Sequence, residues 1–384
     1  MDYYEESLRL HREKKGKIEV CSKVPLETQN DLSLSYTPGV AEPCRKIAEN
    51  AEEVYTYTSK GNLVAVVTDG SAVLGLGNIG PEAALPVMEG KAILFKRFAG
   101  IDAFPICLGT QDTEEIIQIV KALEPTFGGI NLEDISAPRC FEIERRLKED
   151  MNIPVFHDDQ HGTAIVVLAG LINALKVVQK QLSEIRIVIS GSGAAGIAIS
   201  NLLSLAGAND IIICDSQGAI CPLRQNLNSS KEEVLKRSNP RDLCGSLSEV
   251  IEGADLFVGV SAPDVMTADD VRKMADKSIV FAMSNPSPEI MPEEAKKGGA
   301  YIVATGRSDF PNQLNNVLVF PGIFKGALQA RTQITDEMKL AAAQALSDLV
   351  HMPNPDKIIP HPLDKGIAEA VAEAVIRVAR KQEL

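Results

Sequence analysis

Apolar residues in this chain gather in short β-branched runs, and between those runs they recur at helical spacing. Leu63–Thr68 (LVAVVT) reads as a buried strand, and Gly129–Leu132 and residues 153–156 read as shorter ones. Residues 84–98 predict a helix and residues 138–151 an amphipathic one. Asp112-Thr-Glu-Glu115 resembles a capping box that opens a helix through Leu123. Beyond Gly162 the pattern becomes regular. A long Ala/Val/Leu-rich helix over 163–179 leads into strands at 185–190, 210–214, 255–260, 278–283 and 301–304, with helices at Ala194–Leu205 and near 230–237. Such alternation predicts parallel strands joined by crossover helices. Residues 5–17 predict a short charged helix, 18–45 a loop, and 333–350 and 364–381 helix. The fold class is therefore α/β, in two units. Residues 1–160 form the first. Residues 161–384 form a Rossmann-type, doubly wound parallel sheet with C-terminal helices.

Composition narrows the partners. Hydrophobic residues make up 45 % of the 384, enough for two cores, and with no Trp and 4 % aromatics those cores are aliphatic. A net charge of −13 without any dense basic run argues against nucleic acid or an anionic membrane as partner. A small dianion remains compatible, provided that local cations or a metal supply the charge. The seven cysteines are odd in number, widely spaced and without a CxxC, which argues against a disulfide framework and a cysteine zinc site. A reducing, cytoplasmic setting is the expectation. The polar N-terminal stretch has no apolar signal core, and the apolar runs fall short of a membrane span of about 20 residues.

Chemistry enters first at Gly191-Ser192-Gly193-Ala194-Ala195-Gly196. This GxGxxG directly follows a strand and directly opens an Ala-rich helix, the context that a dinucleotide's pyrophosphate requires. Asp215 ends the next strand, 24 residues after Gly191. A carboxylate there suits the ribose 2′-hydroxyl of NAD and disfavours the 2′-phosphate of NADP, although Arg224 and Lys231 lie close enough in sequence to offset it. A second match, Gly75-Leu-Gly77-Asn-Ile-Gly80, is followed at once by Pro81 and lacks a strand-end acid. It reads as a structural or substrate-side loop.

Two acid pairs stand at strand ends: Glu133-Asp134, and Asp158-Asp159 within FHDDQHGTA. Converging in one cleft, four carboxylates would repel one another unless a divalent cation sat among them, and all-oxygen ligation suits Mg²⁺ or Mn²⁺. The competing reading of either pair alone is a helix cap or a solvated rim. His157 and His161 flank the second pair and read as packing residues. Tyr36, in a Pro-Gly loop, and Lys91, on a helix face, have bland readings when taken singly.

Together these residues resemble the malic enzyme family in its short form. The resemblance runs through seven ordered blocks: SYTPGVAEPC, VVTDGSAVLGLGNIGPEAALPVMEGKAILFKRFAGIDAFPI, FGGINLEDI, VFHDDQHGTA, SGSGAAGIAI, FAMSNPSPEI and GRSDFPNQLNNVLVFPGIF. It implies an N-terminal substrate and metal domain and a C-terminal NAD(P)-binding domain. It also implies oxidative decarboxylation of malate to pyruvate and CO₂, with decarboxylation of oxaloacetate as a side activity. Residue by residue it implies Tyr36 as general acid, Lys91 as general base, and Asp158 as the acid organising Lys91. Glu133, Asp134 and Asp159 fall on metal ligands, Asn285 on a cofactor and substrate contact, and Asn316 on a substrate contact. As a base Lys91 needs a pKa lowered from about 10.4 by burial or a nearby cation. The resemblance further implies a homodimer. Longer members carry an Arg where this chain has Ala72, so the substrate carboxylate needs another anchor. A malolactic-type lyase, retaining NAD and yielding lactate, would use the same parts. A non-catalytic dinucleotide-binding regulator would have lost one of them.

Overall fold

The computed structural model describes residues 3–225 and 227–382. Four strands build the first sheet: β1 (Leu63–Thr68), β2 (Asp102–Cys107), β3 (Gly129–Leu132) and β4 (Val155–His157). All are parallel, in the order β2-β1-β3-β4. The second sheet holds β5 (Arg186–Ser190), β6 (Asp210–Asp215), β7 (Gly218–Ala219), β8 (Leu256–Gly259), β9 (Ile279–Ala282) and β10 (Ile302–Thr305). Its order is β10-β9-β8-β5-β6-β7, and only β7 runs antiparallel. The strand order reverses between β1 and β3 in one sheet and between β5 and β8 in the other. Crevices at the carboxyl ends of such switch points are where open α/β sheets bind ligands.

The strands are Val/Ile/Leu-rich because helices cover both faces. Between the sheets lies the helix Asp158–Val178, most of whose side chains are buried. It is long and apolar enough to cross a membrane, contrary to the sequence reading, but 72 % of its most apolar stretch is buried inside the protein. One continuous core joins both sheets: Val64, Val66 and Phe95 from the first unit, Ile187, Val258 and Phe281 from the second, and Phe320, Val371 and Val375 from the C-terminal helices. Phe95 meets Phe320 and Phe324 edge-on, with ring centroids 4.7 and 5.3 Å apart.

Several elements depart from the sequence pattern. Strand β2 was masked by Pro105, which has no amide hydrogen for a ladder. It is tolerated because β2 is the sheet edge. Within the expected loop 18–45 lie the helices Gln29–Ser35 and Ala41–Glu49, the first nucleated by a capping box between Thr28 and Asp31. The long helix begins at Asp158 rather than 163, so Asp158 and Asp159 occupy its first turn, where the helix dipole favours negative charge. Cys221 and Cys244 form a disulfide, contrary to the expectation of none. Nothing in a separation of 23 residues marks the two as partners.

Candidate active site

The dinucleotide loop is formed as its sequence requires. Gly191 follows β5 with φ 118°, and a Cβ there would stand 2.5 Å from the Val260 carbonyl at the end of β8. At Gly196 a Cβ would collide with the Gly191 carbonyl, so the third glycine lets the helix Ala194–Leu205 close onto the turn. Gly193 caps that helix and is open on its Cβ side. Ser192, Ala194 and Ala195 complete the turn. A cavity of about 620 Å³ runs from Gly191–Gly193 across Asp215–Gly218 to Ser246 and Leu247. At its far end Arg224 grips Asp215 with two donors, at 2.8 and 2.9 Å, and Lys231 adds a third at 2.6 Å. Burial alone would raise the Asp215 carboxyl, but these donors hold it at about 2.

Past Gly193, Val260 and Ser261, that cavity meets a larger one of about 960 Å³. Leu74 and Gly75 of the other glycine loop line it, as do Lys91, Glu133, Asp134, Asp159, Asn285 and Asn316. Glu133 and Asp134 leave β3 at the switch point. Asp134 takes a left-handed φ of 54°, and its carbonyl accepts from Ala72 N–H at 2.9 Å across the crevice. A non-glycine residue held there is strained, as ligand-binding turns often are. Asp134 N–H donates to Asp159 Oδ2 at 2.8 Å, and Asn131 Nδ2 donates to Glu133 Oε2 at 2.8 Å. One oxygen from each of Glu133, Asp134 and Asp159 lies within 4.8 Å of the others.

Lys91 projects from the helix Pro81–Ala99 into this cluster. Its Nζ stands 2.6 Å from Asp158 Oδ2, 2.9 Å from Glu133 Oε1 and 4.3 Å from the Phe320 ring centroid. Asp158 is buried beneath it, and a Cβ at Gly162, one turn on, would collide with the Asp158 carboxylate and lie 3.1 Å from Asn316 Cβ. Gly162 therefore lets Asp158 and Asn316 close together.

The electrostatics of the cluster suit a divalent cation. Burial and the neighbouring Asp159 and Glu133 push Asp134 up to about 9. Burial and Glu133 push Asp158 to about 7, against the pull of Lys91. Glu133 is raised as well, chiefly by burial. Asp134 Oδ2 and Asp158 Oδ1 are buried without a hydrogen-bond partner among the described residues. A hard oxygen set with an orphaned oxygen and strained pKa values fits a divalent ion such as Mg²⁺ or Mn²⁺. At Lys91 the protein's own groups act in opposite senses. Burial lowers its pKa, but Asp158 and Glu133 outweigh burial and hold it above the ordinary value.

Of the residues singled out in the sequence, the structure brings together Lys91, Glu133, Asp134, Asp158, Asp159, Asn285 and Asn316. It does not bring Tyr36 to them. Tyr36 caps the helix Gln29–Ser35, is 67 % exposed, and lies outside the residues lining the cavity. His157 is buried against the sheet, and His161 Nε2 pairs with Glu144 at 2.8 Å, away from the acids. Sequence reading missed His11 and Lys17, which line the same cavity. They belong to a segment that reads only as a charged helix and its exit.

Comparison with known proteins agrees with this geometry. The family description "Malic enzyme, N-terminal domain" matches residues 15–148, and "Malic enzyme, NAD binding domain" matches residues 160–382. The chain is 60 % identical, over 99 % of its length and 93 % of the relative's, to the "Bifunctional malic/malolactic enzyme" of Bacillus subtilis. It is 59 % identical to the "NAD-dependent malic enzyme" of Geobacillus stearothermophilus, over 95 % of this chain and 77 % of that one. Among solved structures it is similar to an NAD-dependent malic enzyme from Thermotoga maritima, with a TM-score of 0.94, 52 % identity, and coverage of 96 % of this chain and 98 % of that one.

Proposed function

The chain belongs to the malic enzyme family, and from that premise we propose that it oxidises and decarboxylates L-malate to pyruvate and CO₂, with NAD as its favoured hydride acceptor and Mg²⁺ or Mn²⁺ at the acid cluster. The observation that carries this reading is the placement of Glu133, Asp134 and Asp159 beside the Lys91–Asp158 pair, at the end of a cavity continuous with the glycine-rich turn. A divalent ion there would supply Lewis-acid chemistry at the substrate's oxygens, and a nicotinamide would accept the hydride.

The side chains of this protein do the rest. Glu133, Asp134 and Asp159 would hold the ion, and their charge would then bear less on Lys91. Lys91, after passing its own proton to Asp158 2.6 Å away, takes the hydroxyl proton. Asn285 and Asn316 fix the substrate and the nicotinamide from the second unit's side of the cleft. Asp215 engages the adenosine ribose while its own charge is balanced by Arg224 and Lys231. The family resemblance makes Tyr36 the acid at C3. From its own chain's surface Tyr36 reaches no site, so it serves from a second copy in a homodimer. The helices Tyr3–Lys14, Gln29–Ser35 and Ala41–Glu49 bury none of their residues, and Leu32, Leu34 and Val40 lie exposed around Tyr36, which supports that arrangement.

A second reading, malolactic conversion of malate to lactate, draws support from the similarity to the Bacillus subtilis enzyme that bears both names. Absorbance of reduced nicotinamide separates the two. Purified protein with L-malate and Mn²⁺, offered NAD and NADP separately, with and without chelator, is expected to give chelator-sensitive reduction with stoichiometric pyruvate. Lactate without net reduction would overturn the oxidative reading, and no malate loss would overturn both.

A further inference from the structure

The charge balance of the site leaves one cation unexplained. Glu133, Asp134, Asp158 and Asp159 carry four formal negative charges and Lys91 one positive, a sum of −3. A divalent ion reduces it to −1. A dianionic substrate entering that field would meet net repulsion unless another cation faced it. Among the residues lining the larger cavity there is no arginine, and the lysines are Lys91 and Lys17.

Lys17 is held in an unusual way. Its Nζ donates to the Pro86 carbonyl at 2.7 Å and meets His11 Nε2 at 2.7 Å. The other ring nitrogen, His11 Nδ1, stands 2.7 Å from the Ser7 carbonyl. A carbonyl only accepts, so Nδ1 carries the proton and Nε2 presents a lone pair to Lys17. Both acceptors at the ammonium are thus neutral, and its third N–H has no protein partner among the described residues. The Glu89 carboxylate instead accepts from the Lys17 backbone N–H, at 2.9 Å. Burial depresses the Lys17 pKa against the weaker pull of Glu89. A partly desolvated cation that touches no carboxylate, oriented by two neutral acceptors on the wall of the cavity, is placed to take an anion.

From this geometry we infer that Lys17, oriented by His11, is the cation that receives a carboxylate of the dicarboxylate substrate. Pro86, Val87, Gly90, Lys91 and Leu94 present one face of a single helix to the cavity. Lys17 docks on the Pro86 end of that face. Its role is to bind the substrate and to discriminate in favour of a second negative charge; the proton transfers stay with Lys91.

This inference rests on the malate reading, and two measurements keep their failures apart. In the first, malate and cofactor kinetics are compared in wild type, Lys17→Ala, Lys17→Arg and His11→Ala with saturating Mn²⁺. Lys17→Ala is expected to raise the malate KM on the order of 10- to 100-fold, while the NAD KM stays within about twofold. Lys17→Arg is expected to recover most of the loss, and His11→Ala to show a smaller rise. In the second, thermal denaturation with Mn²⁺ is followed on adding L-malate or L-lactate. Wild type is expected to gain more from malate than from lactate, and Lys17→Ala to lose that difference. An unchanged malate KM and an unchanged malate–lactate difference would overturn the inference. So would a parallel rise of both KM values with a fall in Tm, which would make Lys17 a structural residue. A wild type that is stabilised by malate through Lys17 but leaves malate unreacted would sink the reaction and keep the receptor.

Discussion

Two knots of carboxylate and cation sit at the carboxyl ends of parallel strands, and they are balanced in opposite senses. At the end of β3 and the start of the following long helix, four acids share the single lysine Lys91. At the end of β6 one acid, Asp215, is shared by Arg224 and Lys231. Burial acts the same way on both, raising the carboxyls, but the outcome diverges: Asp134 stands at about 9 and Asp215 at about 2. The first knot is incomplete as a protein structure and gains by accepting a cation. The second is already satisfied, with one positive charge to spare. A single chain thus separates a site that recruits charge from one that has none left to recruit, and both lie along one continuous groove.

The largest way to break this contrast is at the acids. Asp159→Ala or Glu133→Gln is expected to lower malate turnover on the order of 1000-fold or more, since the ion carries several kcal/mol of the barrier reduction. Asp134→Asn should do the same, yet raise the Tm of the metal-free protein, because it removes a carboxylate that its neighbours repel. Activity and stability moving in opposite directions is the signature; a parallel loss of both would mean that the acids are structural.

Lys91→Met leaves Asp158 buried without its partner and is expected to cost about 3 kcal/mol in chemical denaturation, together with hydride transfer from malate. A variant as stable as wild type would show that Asp158 is protonated and that the pair is not ionic.

The pH response sharpens the contrast next. In the folded, metal-free protein Asp134 holds its proton up to about 9, whereas unfolded it releases it near 3.8. Between those values the folded state binds more protons, so its stability is present at low pH and is lost as pH rises toward 9. Tm in chelator is expected to fall by several degrees across that window, and Mn²⁺ to restore it most at the alkaline end. Asp215, with its lowered pKa, contributes in the opposite direction, losing its stabilisation only as pH falls toward about 2. A flat alkaline limb in chelator would contradict the assigned repulsion. The smallest effect is expected at the second knot. Asp215→Asn leaves Arg224 and Lys231 free for a 2′-phosphate and should shift the NADP-to-NAD ratio of kcat/KM about tenfold toward NADP. No shift would mean that the two cations face away from the ribose.

What could be read from the chain tracks how local the physics is. The Gly191–Gly196 turn was legible because strand, turn and helix are consecutive and each glycine has a local reason. The acids were legible as pairs, since repulsion needs no tertiary knowledge once convergence is granted. Strand β2 was hidden by Pro105, whose tolerance depends on edge position, a property of the whole sheet. The raised pKa of Lys91 could not be read either, because it depends on Asp158 lying 67 positions away. His11 and Lys17 look like surface charge until the helix Pro81–Ala99 is placed beside them. Tyr36 shows the reverse failure. A residue whose role is implied by its motif lies on the outside of its own chain, apart from the residues that line the cavity. The Cys221–Cys244 bond likewise depends on β7 being brought against Gly245.

The C-terminal helices give the acid cluster a place in time as well as in space. The helix Ile367–Gln382 packs against Phe320–Ala330, where Gly322 and Gly326 leave room for Val371 and Val375. That second helix in turn supplies Phe320, the ring beneath Lys91. A chain still emerging from the ribosome at residue 300 already contains every acid of the cluster but not the floor on which Lys91 rests. The floor of the site therefore comes from a part of the chain made well after its acids.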